Sequence, residues 1–116
     1  MENHCIFCAI VKNQLPAEII YQDETFLAFA DIHPMAPVHL LIVPKQHVES
    51  LDHVAADQAP MLGDLLICAQ TIARKLNLAQ NGYRLMINTG KDGGQTMPHL
   101  HLHLLAGKSN LPIQVG

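Results

Sequence analysis

At 116 residues with 49% apolar side chains, the chain is sized for one domain and can bury one core. Seven Lys and Arg against ten Asp and Glu leave a formal charge of -3, which excludes the broad basic face of a non-specific nucleic-acid binder but permits a single nucleotide as ligand. No apolar run approaches the roughly 18 residues of a membrane span, and no basic start leads into an apolar export segment, so a soluble cytoplasmic protein that engages neither nucleic acid nor membrane is expected. Three cysteines, an odd number without a secretory signal, read as reduced thiols rather than a disulfide framework.

In chain order, residues 6–12 read as one or two helical turns that end before Asn13-Gln14-Leu15-Pro16. Residues 18–22 and 25–30 are β-type runs separated by Asp23-Glu24, which predicts a hairpin. Residues 38–43 predict a third strand bounded by Pro37 and Pro44, whose missing amides discourage a longer ladder. From 57 to 78, Leu62, Leu65, Leu66, Ala69, Ile72, Ala73 and Leu76 recur at spacings of three and four, the pattern of a long amphipathic helix with Pro60 in its first turn and Asn81-Gly82 as its stop. Residues 83–88 and the histidine-rich stretch from His99 predict strands four and five. The expected fold is therefore α+β: a five-stranded, mainly antiparallel sheet with one long helix and a short N-terminal helix, forming a single domain over residues 1–116.

The eight histidines are the compositional oddity, and three of them lie in HLHLHLL, residues 99–105. On a strand, His99, His101 and His103 share one face while Leu100, Leu102 and Leu104 share the other, so one side is core and the other is available for chemistry. Two chemistries suit the arrangement. Neutral imidazoles two residues apart can ligate a metal, or one imidazole can attack an electrophile while its neighbours support the developing charge. Just upstream, Gly93-Gly94-Gln95-Thr96 places paired glycines where backbone amides can turn toward an anion, with a hydroxyl close behind.

The H-x-H-x-H-x-x pattern, the preceding Gly93-Gly94-Gln95 and the upstream Phe29-Ala30-Asp31-Ile32-His33-Pro34 together resemble the histidine triad superfamily over residues 6–107, and the glycine pair resembles its Hint branch. The resemblance implies a homodimer whose sheets join across subunits, and hydrolysis of purine nucleoside phosphoramidates to a nucleoside monophosphate and an amine. No cofactor for catalysis is implied. His101 matches the nucleophile that attacks the α-phosphorus and becomes nucleotidylated, oriented by the backbone carbonyl of His99. His103 matches the residue that contacts the phosphate, and His39 a further active-site histidine. A histidine in the third strand also fits a plain buried residue. Thr96 stands where serine is common, keeping a hydroxyl for the leaving amine while adding a methyl group. Asn88, Gly94 and Gln95 match the phosphate and ribose edge, and Asp31 the carboxylate that accepts from ribose hydroxyls. Phe7, Ile10, Phe29, Ile32 and Leu41 match apolar walls around the base. Pro98, where tyrosine is frequent, and a tail without tryptophan depart from the Hint pattern and bear on selectivity among amines.

Cys5-Ile6-Phe7-Cys8 is a second constellation, readable as a redox dithiol or as half of a tetrahedral zinc site. Some bacterial histidine triad proteins complete such a pair with a histidine after the Pro-Lys of the third strand and with the first triad histidine. Here these positions are His47 and His99, so the resemblance implies a structural zinc on Cys5, Cys8, His47 and His99. Cys68 reads as an inert core thiol, and His4, His33 and His53 as solvated. Three functions remain: a phosphoramidase, a dinucleoside polyphosphate hydrolase as in the Fhit branch, and a nucleotide- or zinc-binding interaction module with little turnover.

Overall fold

Side-chain parity sorts the strands into two packed layers. A computed structural model describes residues 5–112 and 114–116, so His4 lies outside the described residues. Strands β1 (Ile19–Gln22), β2 (Phe26–Ala30), β3 (Val38–Pro44), β4 (Arg84–Met86) and β5 (Leu102–Ala106) form one antiparallel sheet in the order β1-β2-β3-β5-β4. Helix α1 spans Ile6–Val11 and α2 spans Ala59–Lys75. Phe26, Ala28, Leu40, Ile42, Leu102 and Leu104 pack against Leu65, Cys68, Ala69, Ile72 and Ala73 of α2. Residues of opposite parity, Leu27, Phe29, Leu41 and Val43, pack beneath α1 with Cys5, Phe7, Cys8 and Ile10. Each leucine buried in these layers contributes roughly 1.5–3 kcal/mol. Among the described residues no helix is long and apolar enough to cross a membrane.

The Asp23 hairpin forms as expected, with the Asp23 carboxylate accepting from the amides of Thr25 at 2.8 Å and Phe26 at 2.7 Å. Several boundaries differ from the expectation, each for a local reason. Helix α2 ends at Lys75, before Asn81-Gly82, because Asn77 adopts φ 60° and the amides of Asn77 and Leu78 bond back to Arg74 and Ala73. This is a left-handed C-terminal cap in which asparagine substitutes for glycine. Asn13, also at φ 60°, closes α1 in the same way. Leu66 follows the apolar spacing yet is half exposed, and Cys68 takes a core position instead. Pro44 is the last residue of β3 rather than its outer boundary.

Strand β4 covers only Arg84–Met86, and the β5 ladder begins at Leu102. Parity nevertheless persists upstream of that ladder: Leu100 joins the α2 core while His99 and His101, both buried, sit in the other layer. This places the triad histidines along and just before β5, on the side opposite α2.

Candidate active site

Antiparallel pairing puts β3 beside β5, with Leu41 opposite His103 and His39 opposite Leu105, and so brings His39 against His103 across 64 residues of sequence. The backbone amide of Met35 donates to His39 Nδ1 at 3.1 Å. An amide only donates, so the proton of a neutral His39 lies on Nε2, which faces His103 Nδ1 at 2.9 Å and Asp31 Oδ2 at 3.4 Å. His103 therefore accepts at Nδ1 and carries its own proton on Nε2. That Nε2 is buried and has no hydrogen-bond partner among the described residues. A buried N–H without an acceptor is costly unless a ligand completes it.

Burial holds His39 below the usual histidine range, partly offset by the Asp31 carboxylate. Burial, reinforced by neighbouring His101 and His39, pushes His103 down to about 4, although the nearby Gly116 backbone and Asp31 favour its protonated form. Both rings are thus neutral donors and acceptors near pH 7. Because the folded His103 resists protonation while the unfolded one titrates at the ordinary value near 6.5, its contribution is intact above about pH 6.5 and is lost as pH falls toward 4. The loss is on the order of 3 kcal/mol. Thermal unfolding should therefore show Tm falling across that window, with a shallower fall in His103→Asn; parallel slopes for the two proteins would contradict the assignment.

His101 gives its Nδ1 proton to the carbonyl oxygen of His99 at 2.8 Å, which leaves Nε2 as the nitrogen available for attack. The Phe7 ring packs T-shaped against both His101 and His99, with centroids 5.3 and 5.8 Å apart. Nε2 of His101 lies 2.9 Å from the Gly116 main-chain oxygen, to which the Thr96 hydroxyl donates at 3.3 Å.

His99 turns its own ring toward a second cluster. Its Nε2 proton goes to the Pro44 carbonyl at 2.9 Å, so Nδ1 presents a lone pair to Cys5 Sγ at 3.2 Å and Cys8 Sγ at 3.5 Å. Cys8 Sγ also lies 3.2 Å from His47 Nδ1, and the four ligand atoms are all within 4.8 Å of one another. A tetrahedral zinc with ordinary Zn–S and Zn–N bonds separates its ligands by about 3.3–3.8 Å, and a carbonyl holding the far imidazole N–H is the usual outer support. The donor set therefore fits such an ion. Burial keeps His99 below its ordinary range, so the ring is neutral as ligation requires.

The remaining expected residues are placed as follows. Asp31 Oδ1 accepts from the His33 amide at 2.9 Å, and Oδ2 faces His39. Phe7, Ile10, Phe29 and Leu41 belong to the apolar layer under α1, whereas Ile32 is 83% exposed at the rim. The Asn88 side-chain amide donates to the Val115 carbonyl. The expected anion-facing amides of the glycine loop are already engaged: Gly94 N–H bonds Lys91 O at 3.1 Å and Gln95 N–H bonds Gly90 O at 3.0 Å. The loop is a closed turn, which the Gln95 side chain ties to the carbonyls of Glu49 and Met97. Gly93 is required there, since a Cβ would lie 2.3 Å from Thr89 O. Burial pushes the Cys68 thiol up to about 11, in keeping with an inert core position. His33 and His53 are exposed, the latter bonded to Ser50 Oγ at 2.7 Å. Sequence reasoning missed the Met35 amide, the Pro44 carbonyl and the Gly116 oxygen, because backbone groups carry no residue-type signature.

A protein-family model for the HIT domain matches residues 12–110. The chain belongs to the HIT family. This HIT protein is 40% identical over 108 residues to the purine nucleoside phosphoramidase of Escherichia coli, covering 93% of this chain and 91% of that one. Its fold superposes on a histidine triad protein from Clostridium difficile with a TM-score of 0.92 at 38% identity, covering 98% of this chain and all of the other. A HIT family hydrolase from Legionella pneumophila gives 0.89 at 42% identity, with 91% and 95% covered.

Proposed function

We propose that this HIT protein hydrolyses purine nucleoside phosphoramidates. The observation that carries the reading is the buried, unpartnered Nε2–H of His103 beside the oriented ring of His101. A donor fixed in a water-poor site suits an anionic phosphoryl oxygen, whose charge grows as the nucleophile attacks. In this reading His101 Nε2 attacks the α-phosphorus, the phosphorus–nitrogen bond breaks, and the departing amine takes a proton with Thr96 as the hydroxyl in reach. Water then cleaves the phosphorus–imidazole bond to release the nucleoside monophosphate. His39 holds His103 in the required tautomer. Asp31 accepts from ribose hydroxyls, Ile32 covers the base from the rim, and Asn88, Gly94 and Gln95 edge the phosphate pocket. The Escherichia coli relative supports the substrate class by its name.

We also propose that Cys5, Cys8, His47 and His99 hold a structural zinc that fastens α1 to the catalytic segment, and that the protein acts as a homodimer in the cytoplasm. No step of hydrolysis is assigned to that ion. Adenosine 5′-phosphoramidate and diadenosine triphosphate, offered in parallel and followed by chromatography, test the reading. AMP is expected mainly from the phosphoramidate, at a rate at least about tenfold above the dinucleotide. Preference for the dinucleotide would instead place the protein with the polyphosphate hydrolases.

A further inference from the structure

The segment after β5 returns to the site and is held there side chain by side chain. Arg84 of β4 donates through one guanidinium nitrogen to the carbonyls of Leu111 at 3.0 Å and Pro112 at 2.9 Å. Asn88 holds the Val115 carbonyl, and the Val115 side chain is buried against Ala36 and Leu105. The next oxygen along, that of Gly116, accepts from Thr96 Oγ1 and lies 2.9 Å from His101 Nε2. In the reading above these two groups flank the scissile bond. A single oxygen thus occupies the approach to the nucleophile and engages the hydroxyl assigned to the leaving group. An attacking nitrogen needs the phosphorus roughly 3–3.5 Å away, a position that the 2.9 Å contact excludes.

We propose that Leu111, Pro112 and residues 114–116 act as an autoinhibitory strap, in which the Gly116 oxygen sits in the seat of a phosphoryl oxygen and must be displaced before substrate reacts. The proposal rests on the phosphoramidase reading for the identity of the displacing ligand, but the occlusion itself is a property of the resting chain. Arg84 binds Leu111 and Pro112 and neither His101 nor Thr96, so weakening it frees the strap without touching a reacting group. Substrate affinity is reduced by the fraction of molecules with the strap closed, and releasing the strap restores it.

The test is acylation of His101 by diethyl pyrocarbonate, followed by peptide mass spectrometry and normalised to exposed His33 in the same molecule. Relative to the parent, the His101 to His33 rate ratio is expected to rise about tenfold on deletion of residues 111–116 and severalfold in Arg84→Gln. KM for adenosine 5′-phosphoramidate should fall by a similar factor in Arg84→Gln. If the deleted chain does not fold, the point variant decides. An unchanged rate ratio in both variants, or in Arg84→Gln alone when the deletion is unfolded, would overturn the strap. Acylation needs no nucleotide, so a parent protein that releases no AMP refutes the phosphoramidase reading and leaves this test standing.

Discussion

Replacing His101 with glycine is expected to lower phosphoramidate hydrolysis by about 10⁴-fold or more, while AMP affinity changes by less than about threefold. The asymmetry follows from what the ring does. Its Nε2 is assigned the bond to phosphorus, whereas His103, Asp31 and the apolar rim supply contacts that the substitution leaves in place. A 10⁴-fold loss corresponds to about 5.5 kcal/mol of transition-state stabilisation, far beyond what a lost packing contact with Phe7 accounts for. Chromatographic rates and calorimetric titration with AMP make the comparison. Turnover retained at the parent rate would exclude His101 as nucleophile, and equal loss of rate and affinity would make it a binding residue.

Metal analysis after purification without added metal is expected to find about one zinc per chain, and Cys8→Ser should lose the ion and about 10 °C of Tm. That shift corresponds to on the order of 2–3 kcal/mol for a chain of this length. Cys8 faces both His47 and His99, so removing its sulfur loosens α1 from the loop after β3 and from the catalytic segment. Zinc near zero in undamaged parent protein would discard the metal, as would a Cys8→Ser variant that keeps both its zinc and its Tm. His99 directs its ring to the sulfurs and its carbonyl to His101 Nδ1, so one residue joins the proposed metal site to the proposed nucleophile.

Strand parity was legible residue by residue. Leu100, Leu102 and Leu104 face α2 as their alternation with histidine demands, although hydrogen-bonded pairing begins only at Leu102. The hairpin at Asp23 was legible because its carboxylate caps two amides within three residues. The end of α2 was not: Asn77 in a left-handed conformation stops the helix four residues before the Asn-Gly pair that looked like the signal. Nor was the closed state of the glycine loop, since Gly93 and Gly94 reveal a need for backbone freedom without saying which carbonyls their neighbours' amides will find.

By itself the sequence determined the kinds of group available and the face each one takes. Period-two alternation and three- or four-residue spacing are local properties, and they put imidazoles on one side of the sheet and leucines on the other. Only the tertiary structure decided what each imidazole does. His39 meets His103 through strand pairing, and their tautomers follow from the amide of Met35, just as those of His99 and His101 follow from the carbonyls of Pro44 and His99. The physical reason is that a ring nitrogen becomes donor or acceptor according to the group opposite it. Here those groups are backbone atoms, delivered by folding and identical in every residue type.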